Sequence, residues 1–352
     1  MVDEVEAAAL AALFTPFRQG ALAWPERVAF LRARLGAALT EMPRAQLVCE
    51  QSFKPDADAL LSAGFAVSAQ ISASPGAFPL VLVLPPRQRE ESRALLARAM
   101  QLAGPAGIVV AAAPNTAGAR SHEADLQRLC GAVATLSKHK CRVFWSTPGS
   151  RTRADEALAA EWLALDAPRP ILDGRFVSRP GVFAWDRIDA ASELLIAELP
   201  RALSGTAADL GAGFGYLSRE LLARCPGIVA LDVYEAEARA LDLARQNLAA
   251  ASGPVAIDYH WHDVTAGLSR TYDVIVTNPP FHTSNGADDP GLGRRFIGAA
   301  ARALNPGGKL FLVANRHLPY EAVLNASFGA VRTAAQRYGF KIIEATRGGS
   351  SR

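Results

Sequence analysis

The sequence predicts an α/β protein with a largely parallel sheet in its second half and a weaker version of the same rhythm in its first. Three observations carry this expectation. Short β-like runs alternate with helical patterns through the second half. Half of the 352 residues are hydrophobic, enough for two cores, and the length exceeds that of a usual single domain. A proline-rich polar stretch, Asp166-Ala167-Pro168-Arg169-Pro170, reads as a linker between the halves, giving domains at 1–165 and 166–352.

Taken in order, Phe78–Leu84 and Ile108–Ala112 read as buried strands with a helix, Arg89–Gln101, between them. No glycine-rich strand-to-helix turn accompanies them. In the second half, strands are expected near Ala207–Leu210, Ile228–Asp232, Ile257–His260, Asp273–Thr277 and Lys309–Ala314. Helices fall between them. Tyr216–Arg224 follows a glycine loop, Glu235–Ala249 spaces Ala238, Leu241, Ala244 and Leu248 helically, and Arg294–Leu304 stops at Asn305-Pro306-Gly307-Gly308. Val331–Gln336 and Phe340–Ala345, joined by Arg337-Tyr338-Gly339, read as a closing antiparallel hairpin.

Several function classes are excluded at this level. The longest apolar runs fall well short of the roughly 20 residues that cross a bilayer. Three acids in the first six residues (Asp3, Glu4, Glu6) do not suit a signal or transit peptide, so a cytoplasmic protein is expected. Cys49, Cys130, Cys141 and Cys225 lack metal-site spacing and read as reduced core thiols. The net charge is only +3, but Arg120, Arg128, Lys138, Lys140, Arg142, Arg151 and Arg153 stand against two acids, Glu123 and Asp125, over that stretch. Such a local basic patch fits a polyanion such as RNA, although an ordinary solvated face with internal ion pairs is the alternative.

The segment Asp209-Leu210-Gly211-Ala212-Gly213-Phe214-Gly215 follows one expected strand and opens a helix. Its glycines let the backbone approach a ligand. The leading acid suits an ammonium, and the G-x-G-x-G spacing differs from the pyrophosphate pattern. S-adenosylmethionine (SAM), with an ammonium, a sulfonium and a ribose but no phosphate, fits this chemistry. Asp232, closing the next strand, is placed to accept both ribose hydroxyls, with helix capping as the other reading. Asp263 is placed to accept from the adenine amino group or to cap a turn. His260 and His262 lack nearby metal-ligand spacing and read as packing or solvent-facing residues; no metal is expected.

Asn278-Pro279-Pro280-Phe281-His282 follows the fourth strand of this half. Methyl transfer to a conjugated amine requires its lone pair to face the donor, so its hydrogens must be held elsewhere. The Asn278 side-chain carbonyl and the Pro279 backbone carbonyl provide two acceptors. Phe281 offers a ring face for an extracted base, while His282 either orients the substrate or takes the proton.

On these residues the sequence resembles the RsmC/RlmG-type ribosomal RNA guanine-N2 methyltransferases over nearly the whole chain. Further likeness lies in Pro180-Gly181-Val182-Phe183, Ile188-Asp189 and Leu194-Leu195, and in the first half in Gly118-Ala119-Arg120-Ser121 and Lys140-Cys141-Arg142-Val143-Phe144. The resemblance implies two tandem Rossmann-like methyltransferase domains. The first has lost its cofactor loop and serves RNA docking or structure; the second is a seven-stranded class I SAM methyltransferase sheet ending in a β-hairpin. It adds Phe183, Asp189, Val233 and Val264 to the cofactor contacts; in the catalytic half, Arg294, Arg295 and Arg316 are the next candidates for RNA binding after the basic patch. The expected substrate is guanine N2 in small-subunit rRNA, with a ribosomal subunit as the alternative partner and the enzyme acting as a monomer. Ala184, Ala191-Ser192 and Thr283 depart from the family's usual residues. Methylation of large-subunit rRNA, of DNA adenine N6 or of a protein glutamine amide uses the same loop chemistry and stays open, as does a catalytically silent RNA-binding assembly factor.

Overall fold

The computed structural model describes residues 4–149, 153–249, 253, 255–280 and 290–349. The chain divides into two compact units, Met1–Ala167 with Arg179–Gly181, and Pro168–Ser178 with Val182–Arg352. In the first, β1 (Val28–Leu31), β2 (Leu47–Glu50), β3 (Ala66–Ser68), β4 (Leu80–Val83), β5 (Ile108–Pro114), β6 (Val133–Lys138) and β7 (Cys141–Ser146) form one sheet of order β3-β2-β1-β4-β5-β7-β6. Only β7 runs antiparallel to its neighbours. Both β1 and β4 are buried on both faces, which is why they read as unbroken apolar runs rather than alternating ones.

A two-stranded ribbon, β8 (Arg169–Ile171) and β9 (Phe176–Ser178), opens the second unit. The boundary between the units, at Ala167 and Pro168, falls within the expected linker, whose last two residues, Arg169 and Pro170, belong to this hairpin. Proline is tolerated there because the ribbon has open edges, and the Arg169 guanidinium lies 4.4 Å from the Trp185 ring centre.

The main sheet of this unit comprises β10 (Ser204–Leu210), β11 (Gly227–Glu235), β12 (Ala256–Trp261), β13 (Tyr272–Thr277), β14 (Leu304–Asn315), β15 (Ala330–Arg337) and β16 (Phe340–Thr346), ordered β12-β11-β10-β13-β14-β16-β15. The permutation matches that of the first sheet strand for strand, with β16 as the antiparallel member. The two halves are therefore tandem doubly wound domains of one architecture. Alternation along the strands supplies two cores. Ala207, Val274, Val276, Phe311 and Ile342 face one set of helices, while Ala208, Ile275, Leu310, Leu312 and Ile343 face the other.

Two boundaries move. The helix expected from Glu235 begins at Ala238, because β11 keeps pairing with β12 as far as Glu235 opposite Trp261. The stop signal Asn305–Gly308 lies inside β14, where the register against β13 shifts to absorb it. All four cysteines are free and buried, and burial pushes the Cys49 thiol up to about 12. Among the described residues no helix is long and apolar enough to cross a membrane.

Candidate active site

In an open doubly wound sheet, ligands sit beyond the carboxyl ends of the strands where the strand order reverses. That point is the end of β10, flanked by β11 and β13. Asp209 there is fully buried, and its Oδ2 accepts from Ser218 Oγ at 2.7 Å. Its Oδ1 has no hydrogen-bond partner among the described residues, and burial pushes the carboxyl up to about 7. An orphaned, desolvated carboxylate oxygen is what the ammonium of SAM would satisfy, so the residues present fit that cofactor.

The loop that follows is pinned from β11. Gly211 and Ala212 N–H groups donate to the Tyr234 carbonyl, and the Gly213 N–H donates to Glu235 Oε2 at 2.7 Å. Gly213 has φ +57 and open space where a Cβ would stand, so a ligand can lie against bare backbone. Gly215, at φ +89, has the opposite constraint: a Cβ would come within 3.2 Å of Ala244 and wedge two helices apart.

Sequence reasoning put the ribose acceptor at Asp232, but the structure places this side chain elsewhere. Asp232 lies three residues short of the strand end, and parity turns it to the opposite face from buried Val233. Its carboxylate accepts from Tyr272 Oη at 2.5 Å and from Arg270 Nη1 at 3.0 and 3.2 Å, with His260 Nε2 3.5 Å away. Asp232, Asp258 and His260 are close enough to suggest a cation site, yet Arg270 Nη1, 2.6 Å from Asp258 Oδ2, supplies the positive charge from the chain itself. The acid at the end of β11 is Glu235. Its Oε1 accepts from the Glu237 N–H at 2.8 Å, it sits against the glycine loop, and burial raises its pKa. A carboxylate has about four acceptor positions, so these two bonds leave room for hydroxyl groups. The missed signal was the length of β11: with the strand ending three residues later, the acid at its end becomes Glu235.

Asp263 Oδ1 caps the turn after β12 by accepting from the Thr265 N–H at 2.8 Å, next to buried Val264. His262 Nε2 is 2.7 Å from the Gly267 carbonyl, and His260 stacks on Tyr234 with ring centres 4.4 Å apart; both serve packing.

At the end of β13, Thr277 Oγ1 donates to the Leu210 carbonyl at 2.7 Å and ties this strand end to the cofactor loop. Half-buried Asn278 follows. Its Nδ2 donates to Asp189 Oδ2 at 2.8 Å and to Ser192 Oγ at 2.9 Å. Asp189 is itself the cap of the helix Ala190–Glu198, accepting from the Ser192 N–H at 2.9 Å and from Ser192 Oγ at 3.2 Å. An ionised carboxylate only accepts, so the amide must turn its nitrogen toward Asp189 and its oxygen away. Asp189, expected among the cofactor contacts, here orients Asn278. Pro279 is buried and Pro280 exposed; Phe281 and His282 lie outside the described residues. Phe183 is 62% exposed.

Among its described residues the first unit keeps a Pro-Pro pair and a strand-end acid but has neither the glycine loop nor the asparagine. Leu31-Arg32-Ala33-Arg34 stands where β10 leads into its glycines, and Leu84-Pro85-Pro86 where β13 leads into Asn278. Glu50, at the end of β2, is clamped by Arg98 through two 2.6 Å bonds. Of the basic candidates, Arg120, Arg128, Lys138 and Lys140 are exposed, as are Arg294 and Arg295 in the second unit. Arg142 is not: its Nη1 is 2.6 Å from Glu123 Oε2, and it is partly buried. Arg128 lies over the Trp162 ring at 5.1 Å, and Arg151 is outside the described residues.

An acid-led glycine turn at the switch point of this sheet, with an Asn-Pro-Pro loop one strand away, defines a class I SAM-dependent methyltransferase acting on nitrogen. Comparison with known proteins narrows the class. Residues 173–344 match the Methyltransferase small domain family. The ribosomal RNA small subunit methyltransferase C of Cronobacter sakazakii is 30% identical over 265 residues, 75% of this chain and 74% of that protein. Its counterpart from Alteromonas mediterranea is 29% identical over 269 residues, 76% and 72% of the two chains. A solved structure of the T. thermophilus 16S rRNA N2 G1207 methyltransferase (RsmC), in complex with AdoMet and guanosine, superposes with a TM-score of 0.77 at 24% identity, covering 98% of this chain and 93% of that one. The chain belongs to the ribosomal RNA small subunit methyltransferase C (RsmC) family.

Proposed function

We propose that this protein methylates the exocyclic N2 amino group of a guanine in small-subunit ribosomal RNA. The observation that carries the reading is the fixed orientation of Asn278, whose amide hydrogens are spent on Asp189 and Ser192 and whose oxygen is left to accept. Family membership supplies the RNA.

When bound, SAM supplies an electrophilic methyl group on a sulfonium sulfur. Asp209 would hold its ammonium, Glu235 the ribose hydroxyls, and Asp263 with Val264 the adenine edge. Asn278 Oδ1 and the Pro279 carbonyl accept the two amine hydrogens, which aims the nitrogen lone pair at the methyl carbon. Transfer of that methyl group to the amine would place positive charge on its nitrogen. The same two carbonyl dipoles stabilise it, and the proton then leaves to solvent or His282. Phe281 provides the ring on which the extracted base rests.

In this reading residues 166–352 form the catalytic domain, and residues 1–165 a docking domain whose Arg120, Lys138 and Lys140 meet phosphates, while Arg294 and Arg295 do so on the catalytic side. The enzyme works as a monomer in the cytoplasm, where its substrate is made, and needs no metal. The test is mass spectrometry of rRNA nucleosides from cells lacking the protein, followed by methylation of that RNA in vitro. Loss of one N2-methylguanosine, restored by the pure enzyme, is expected. Restoration of methyladenine, or methylation of protein instead, would overturn the substrate.

A further inference from the structure

The hairpin of β15 and β16 turns through Tyr338 and Gly339, at φ +53 and +84. A two-residue turn of this hand wants asparagine or glycine at both places, and a bulky ring at the first is costly. Packing does not offset the cost, because Tyr338 is 86% exposed.

The turn's position gives the exposed ring a use. Because β16 runs antiparallel to β14, the turn stands on the same carboxyl edge of the sheet as Asn278. Thr277 pairs with Leu312, and Asn315, three residues further along β14, pairs with Phe340 at the base of the turn. The tip therefore rises roughly 10 Å above the end of β13 and lies roughly 10 Å to its side, two strand spacings away. Basic residues stand beside it. Arg337 is 63% exposed and 3.7 Å from Glu198. Arg316 and His317 are exposed on the adjoining loop, which is fastened to the turn by the Arg316 N–H donating to the Gly339 carbonyl at 2.8 Å.

An exposed aromatic face between two arginines, on the rim of a site that takes a planar base, matches the chemistry of single-stranded RNA recognition. We propose that Tyr338 is a stacking platform for an unpaired nucleotide flanking the methylated guanine, with Arg316 and Arg337 contacting its phosphates. This rests on the RNA reading above.

The test uses full-length protein and deproteinised small-subunit rRNA from cells lacking the enzyme. Tyr338→Ala should weaken RNA binding and raise the KM for RNA by roughly tenfold or more, the scale of one base–aromatic stack, with SAM affinity and kcat unchanged. Tyr338→Trp and Tyr338→Phe should stay close to wild type. Tyr338→Asn should raise the melting temperature by relieving the turn while losing RNA affinity as Ala does, a pairing no structural role produces. Changing Arg316 and Arg337 to glutamine should lower the salt slope of binding by about 0.7 for each phosphate no longer neutralised. Wild-type affinity in Tyr338→Ala, a defect seen only with assembled subunits, or equal loss in Tyr338→Phe would overturn the platform. Wild-type enzyme that methylates neither this RNA nor assembled small subunits from the same cells would instead overturn the substrate reading beneath it.

Discussion

Asn278 Nδ2 donates to Asp189 Oδ2 across 89 residues of sequence, joining the end of β13 to the cap of the helix Ala190–Glu198. The bond decides which way the amide faces, and so whether the loop presents an acceptor or a donor to the incoming amine. Replacing Asn278 by alanine should leave SAM affinity within about twofold and lower the single-turnover rate by roughly 10²–10³, the cost of removing one preorganised transition-state interaction. Single-turnover methylation at saturating RNA is the measurement. Wild-type rates would remove Asn278 from the chemistry.

Ser192 gives a milder version of the same experiment. Ser192→Ala removes one of the two acceptors on Asn278 Nδ2 but keeps the Asp189 bond and the helix cap. Turnover should fall by about tenfold, as expected for one neutral hydrogen bond, with little change in KM or melting temperature. Asp189→Ala should lower turnover further and cost about 1 kcal/mol of stability through the missing cap. A rise in KM without loss of kcat would assign both residues to substrate binding instead.

The two acids of β11 should separate cleanly. Glu235→Ala should weaken SAM binding, by roughly 1.5–3 kcal/mol, because charged acceptors in a desolvated site are not easily replaced. Asp232→Ala should lower thermal stability by taking one of two partners from the buried Tyr272 hydroxyl and from the Arg270 guanidinium, with SAM affinity nearly intact in the folded fraction. Calorimetric titration beside a melting curve reads both. Reversed effects would restore Asp232 as the ribose acceptor.

Asp209 should make the protein's behaviour depend on pH. Its carboxyl holds a proton more tightly folded than unfolded, about 7 against an ordinary 3.8, because burial disfavours the charged form. Its contribution to the stability of the unliganded protein is full below about pH 4 and is lost as pH rises through about 7. SAM affinity should move the other way, rising toward pH 7 and levelling above it, since the ammonium needs the ionised form. Asp209→Asn should flatten both profiles and weaken binding. Unchanged pH dependence in this variant would place the titration elsewhere.

The basic residues of the first unit should fall into two groups. Exposed Lys138 and Lys140, changed to alanine, should reduce the salt slope of RNA binding by up to about 0.9 per phosphate no longer neutralised and leave the melting temperature alone. Arg142→Ala should do the reverse, because its guanidinium is paired with Glu123 and partly buried. RNA affinity over a salt series, with melting curves, distinguishes them. A lowered salt slope in Arg142→Ala at unchanged stability would return Arg142 to the phosphate-binding group.

What the sequence by itself determined is whatever a short window of residues specifies. The strands of the second half, the helix Tyr216–Arg224 and the closing hairpin follow from local periodicity and turn chemistry, and Asp209, the glycines and Asn278 from motifs a few residues long. The tertiary structure decided what depends on distant partners. How far β11 extends is set by its pairing with β12, and that moved the strand-end acid from Asp232 to Glu235. Glu123 took Arg142 out of the basic patch, and β9 made a strand of residues that read as a linker. Asp189 and Ser192 set the direction of the Asn278 amide from nearly ninety residues away, and the register of β14 against β16 raised Tyr338 on the catalytic edge. The reason is physical: spacing along the chain encodes which residues share a face of one element, whereas a hydrogen bond or an ion pair depends on which elements the folded core brings together.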